Sequence, residues 1–147
     1  MKKKVIRIVI LLVFAGLFAG GYGYYMYQKP VKNFSESKAE ITITAKAIFD
    51  EFAANQNAAE AKYVAKDKTI QVSGKIARIE KKDDGTYTVY LEVGTPDSEV
   101  SCSFAPEASQ KAAGLKAGMN VAIKGQCTGW QDLISREVVM IRCGMAE

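Results

Sequence analysis

Histidine is absent from the 147 residues. That removes the commonest general base near neutral pH and the commonest ligand for zinc, copper or haem. Tryptophan occurs once, as Trp130, and no cysteine precedes Cys102. A lipid-modified cysteine near residue 20 is therefore not expected. The cysteines at 102, 127 and 143 form no Cys-x-x-Cys pair, so no dithiol redox motif is expected. No internal repeat and no low-complexity stretch is found. Charge is also missing from one long segment: between Ile8 and Gln28 there is no Asp, Glu, Lys or Arg.

That uncharged segment, 21 positions of mostly Ile, Val, Leu, Phe, Ala and Gly, follows the basic cluster Lys2, Lys3, Lys4 and Arg7. A hydrocarbon core about 30 Å thick needs roughly 20 helical residues, so the run is long enough to span it. Tyrosines at 22, 24, 25 and 27 suit a membrane interface, and the positive-inside rule keeps residues 1–7 in the cytoplasm. Residues 8–28 are therefore expected to be a transmembrane anchor. A cleaved signal peptide is the alternative, with small residues at Ala19-Gly20-Gly21. Both readings export the remainder of the chain.

Residues 29–37 form a polar linker, and 38–147 suffice for one domain. The net charge of +4 is unevenly placed: residues 1–37 hold six basic residues against Glu36, whereas 38–147 hold 14 basic and 15 acidic ones. The exported domain is thus nearly neutral, which argues against a polyanion-binding surface.

Within it, residues 44–63 read as helical, capped by Thr42 or Thr44 and interrupted near Asn55-Gln56-Asn57. Ile48, Phe49, Phe52 and Ala53 form its apolar stripe. The period then changes to two. Ile70, Val72, Gly74 and Ile76 mark a long strand, with Gly74 where a bend is cheap. Asp83-Asp84-Gly85 signals a hairpin. Tyr87–Val93 and Val100–Phe104 come next as strands, with Val89, Leu91 and Val93 on one face. Pro106 opens a short helix to about Ala113. A fourth strand runs from Val121 toward Cys127, a polar loop passes through Trp130, and a last strand places Val139, Ile141 and Cys143 on one face.

This order (helix, three strands, short helix, two strands) resembles the OB-fold, a five-stranded Greek-key barrel. The expected fold class is all-β with accessory helices: an OB barrel preceded by a helix, after an N-terminal transmembrane helix. Several stretches resemble the tRNA_anti-like family of bacterial OB-fold proteins. They are Ala45–Tyr63, Ile70-Gln-Val-Ser-Gly74, Val100-Ser-Cys-Ser-Phe104, Gly125-Gln-Cys-Thr-Gly129 and Val139-Met-Ile-Arg-Cys143. The resemblance implies a fold and an envelope location more than an activity.

In OB domains the ligand surface is the outer face of the second and third barrel strands with their loops. The candidate binding residues are therefore Lys75, Thr88, Tyr90, Ser101 and Ser103, beside Glu92, and Trp130 in the last loop. Trp130 is either an exposed anchor or, the preferred reading, a lid on the barrel's end. OB topology sets the strands of Cys102 and Cys143 side by side, so this pair is the disulfide candidate and Cys127 the leftover thiol. Three buried reduced thiols are the alternative.

No catalytic constellation emerges. Ser35-Glu-Ser-Lys38 has the spacing of a Ser/Lys dyad but lies in the linker. The expectation is a non-enzymatic module, with no metal or cofactor, on the periplasmic side of a bacterial inner membrane. It would serve an envelope protein or small ligand as scaffold or accessory factor. Nucleic acid is not expected as a partner: single-strand binding needs a basic groove and stacking aromatics. A single-stranded nucleic-acid or oligosaccharide binding role is the alternative. The oligomeric state is not legible.

Overall fold

Apolar and small residues without proline carry a single helix, α1 (Lys2–Tyr27). The computed structural model describes residues 2–28, 34, 36–65 and 68–146. It divides into two units, Met1–Val31 and Lys32–Glu147. In the first, the side chains of α1 from Lys3 onward are exposed. At 1.5 Å per residue, the stretch Lys3–Tyr27 is long and apolar enough to cross a membrane, as anchors and signal sequences both are.

In the second unit the strands are β1 (Ile41–Thr44), β2 (Ile70–Lys81), β3 (Tyr87–Glu92), β4 (Ser98–Phe104), β5 (Asn120–Asp132) and β6 (Arg136–Met145). Strands β2, β3, β4, β6 and β5 pair in that order, and β5 closes the ring on β2. Only β4 and β6 run parallel within the ring. This is the OB-type barrel expected, with one strand more than the five anticipated. The extra strand has a reason. Residues Ile70–Lys75 of β2 pair with β5 on one side, while β3 joins only from Ile76 onward. The half-strand would leave an open edge, a template for unwanted pairing. The parallel strand β1 fills it, Ile41 opposite Ile70 and Thr44 opposite Ser73.

Thr44 ends β1 and caps α2 (Ala45–Ala54), its hydroxyl accepting from the Ala47 N–H at 3.2 Å. Asn55 caps α3 (Gln56–Tyr63) in the same way through the Ala58 N–H. The buried stripe of α2 is Ala45, Ile48, Phe49 and Phe52; Ala53, expected in it, is exposed. Gly74 admits this helix, since a Cβ there would lie 3.1 Å from the Ala45 Cβ. The bend in β2 falls just beyond, as a register shift between Ile76 and Arg78. A short helix, α4 (Ser109–Ala112), lies between β4 and β5.

Two expectations about the last hairpin need correction. The chain does not loop out before Trp130; β5 continues through it to Asp132. The inward residues of β6 are Val138, Met140 and Cys143, whereas Val139 and Ile141 face away from the core. Arg142 sits at φ +52°, and the β4–β6 register shifts beside it. That irregularity inverts the alternation, so counting back from Cys143 gives the wrong face.

Candidate functional site

The register of β2, β3, β4 and β6 lays the barrel's outer face out in rows. Glu80, Thr88 and Ser103 are opposite one another, and Arg78, Tyr90 and Ser101 form the next row. Glu92, Glu99 and Glu137 make a third row across three adjacent strands. Like charges directly opposite are unfavourable, so this row needs cations. Lys75 approaches Glu92 at 4.0 Å, and Arg78 pairs with both Glu99 and Glu80. Among the described residues these two cations reach Glu92, Glu80 and Glu99, whereas Glu137 accepts from the Ser135 hydroxyl.

Arg78 is the centre of this network. Its guanidinium carbon lies 3.5 Å from the centroid of the Tyr90 ring, a cation–π stack. The Tyr90 hydroxyl donates to Glu80 at 3.1 Å. Burial, then the hydrogen bond to Glu80, pushes the Tyr90 phenol above its ordinary range. The bond to Glu99 raises the Arg78 pKa further, so the guanidinium is permanently charged. A base or sugar stacking on this face of Tyr90 would first have to displace it.

The strand pairing thus brings Thr88, Tyr90, Ser101 and Ser103 together, with Lys75 at the margin. Two of them are not available to a ligand as expected: Thr88 is 3% exposed and Ser101 5%. The Thr88 and Ser103 hydroxyls face each other at 3.4 Å. Arg78, Glu80, Glu99 and Glu137 were not singled out from the sequence. The signal was available in the charged residues alternating with Ile76, Ile79, Val100 and Val138.

Trp130 is a lid rather than an anchor. Its ring centroid lies 5.1 Å from that of Phe49 and 6.1 Å from that of Phe52, stacked on the latter. The exposed large apolar residues of this hairpin are at its tip, Leu133 at 82% and Ile134 at 100%, neither of which figured among the candidates.

All three cysteines are buried free thiols, and the bridge expected between Cys102 and Cys143 is not made. The strands are adjacent as expected, but the register sets Cys102 opposite Met140 and Cys143 opposite Phe104. The Cys143 thiol still lies close enough to that of Cys102 for the two to interact. Cys127 lies opposite Met140 from the other side, so the three thiols share one region of the core. Burial raises the Cys143 pKa well above the usual thiol range and that of Cys127 to about 11. Protonated and sealed, they are inert. Among the described residues no cluster of three or more His, Cys, Asp or Glu could hold a metal ion.

Comparison with known proteins gives the chain a family. No curated protein matches. Among solved structures, a lipoprotein from Klebsiella pneumoniae subsp. pneumoniae MGH 78578, whose name proposes nucleic-acid binding, is 21% identical. It superposes with a TM-score of 0.56 over 71% of this chain and 91% of its own. That likeness is one of fold. The Stn1-ten1 complex of S. pombe (19% identity, TM-score 0.36, 49% and 53% coverage) is more distant. So is Entamoeba histolytica asparaginyl-tRNA synthetase (13% identity, TM-score 0.42, 74% and 24% coverage). The expectation against nucleic acid as a partner finds no support in these likenesses. The tRNA_anti-like family model matches residues 1–144, and the chain belongs to that family.

Proposed function

We propose that the protein is a non-enzymatic binding module, held by α1 in a bacterial inner membrane with its barrel in the periplasm. It serves as scaffold or accessory factor for an envelope protein that presents basic side chains to the β2–β3–β4 face. The observation that carries this reading is the row Glu92–Glu99–Glu137, incompletely neutralised by Lys75 and Arg78. Cationic side chains complement such a face and are steered to it, whereas phosphates are repelled. Photocrosslinking from Ser103 in intact envelopes tests it. The expected result is a discrete protein adduct that disappears in Glu92→Lys and Glu137→Lys variants. Absence of any adduct above background would overturn the proposal.

The alternative is single-stranded nucleic-acid or oligosaccharide binding, favoured by the common use of the fold and by the name of the Klebsiella lipoprotein. Phosphate-driven binding weakens steeply as salt rises. Titration with labelled single strands at low and high salt decides it. Tight, salt-sensitive binding would favour the alternative over an envelope-protein role.

A further inference from the structure

Leu133 and Ile134 are the two most exposed large apolar side chains of the second unit. They crown a hairpin closed at its foot by Asp132 opposite Arg136, a pair of opposite charges. The nearby Glu137 accepts from the Ser135 hydroxyl at 2.7 Å. The tip is therefore an apolar wedge with little net charge.

Its direction is set by the strand register. Ile41, Ile70 and Gly125 lie on one rung of β1, β2 and β5. The chain reaches that rung through residues 38–40 and continues along β1 parallel to β2. Strand β5 is antiparallel to β2, so beyond Gly125 it runs toward the side from which the chain arrived. From Gly125 to Asp132 it advances roughly 20 Å at about 3.3 Å per residue. The wedge thus extends toward the side from which residues 38–40 enter β1. Phe34 is buried in the second unit, so the free segment from Tyr27 to Phe34 spans at most roughly 25 Å at about 3.5 Å per residue, which still keeps a bilayer holding α1 within reach of the barrel.

We propose that the β5–β6 tip seats Leu133 and Ile134 in the lipid surface of the membrane that α1 crosses. The inference rests on α1 being retained as an anchor. Because the contact is apolar, it requires no anionic lipid and does not weaken with salt.

The test uses the full chain in phosphatidylcholine vesicles, with an environment-sensitive fluorophore on Ile134→Cys. The native thiols are buried and do not compete for label. A label on Thr86→Cys, in the β2–β3 turn at the other end of β2, serves as control. The expected result is blue-shifted emission from position 134, quenched by lipids spin-labelled at the headgroup–acyl boundary. That signal should be unchanged in high salt and after adding phosphatidylglycerol, and position 86 should stay water-like. Water-like, unquenched emission from position 134 in chains that float with the vesicles would overturn the inference and leave the anchor standing. Shielded emission that lipid quenchers do not reach would also overturn it, since a protein or a second copy would then cover the tip. Chains that fail to float refute the anchor itself, and the inference falls with it.

Discussion

Trp130 and Ile134 are four positions apart on one hairpin and meet opposite fates. The indole lies against Phe49 and Phe52 of α2, while Ile134 meets no protein at all. Residue type does not account for this, since both are large and apolar. What differs is the reach of the neighbouring element. Helix α2 begins at Thr44 beside β2, and its aromatic stripe covers β5 as far as Trp130. Beyond Asp132 the hairpin stands alone. One part of the hairpin therefore stabilises the barrel, and the other is free for contact.

Substitutions on the covered side should be the most damaging. Phe52→Ala removes the ring that stacks on Trp130 and lies tilted against Tyr63, and is expected to destabilise by about 3–5 kcal/mol, read as a shifted denaturation midpoint. An unchanged midpoint would mean the lid does not hold the barrel. The thiols give a second measure of covering. The Cys127 pKa rises in the folded state, from 9.0 to about 11, so its contribution is complete below about pH 9. As pH climbs from there toward 11, the unfolded chain ionises first and stability falls, on the order of 2 kcal/mol. Denaturant titrations across that range should show the decline, and Cys127→Ala should lessen it, the raised Cys143 thiol accounting for the part that remains.

Gly125→Ala tests close packing on the inside. A Cβ there would lie 2.6 Å from the Cys143 Sγ, with an expected loss of about 1–3 kcal/mol. Part of that loss should return in the Gly125→Ala/Cys143→Ala double variant, as a coupling energy. At the other extreme, Leu133→Ser and Ile134→Ser should leave stability within about 0.5 kcal/mol of the parent. A larger loss would show that the tip packs on the barrel after all, and the contrast with Trp130 would collapse.

The sequence announces the alternating strands clearly. Val72, Val89, Leu91, Val100 and Cys102 all face inward where their period places them. It is less informative where the backbone departs from regularity. Arg142, with its positive φ, carries no glycine to advertise the irregularity, so the facing of β6 was inverted. Strand β1 is only Ile-Thr-Ile-Thr, and its role comes from an edge that exists only once β2 has bent. The pairing of Tyr90 with Ser101 follows from the strand order, but the charge around it does not. Glu92, Glu99 and Glu137 come from three separate stretches, and only the register makes them neighbours.

Strand β1 also decides how the barrel would bear load. It lies in the chain immediately before α2, and its pairing with β2 is parallel, from Ile41↔Ile70 to Thr44↔Ser73. Tension applied at Ile41 along the strand axis acts across hydrogen bonds that run between the strands. All the rungs are then loaded together in shear instead of being peeled one by one. A domain dragged by its tether while gripped elsewhere would resist at this joint, and a strand of four residues becomes its mechanical clamp.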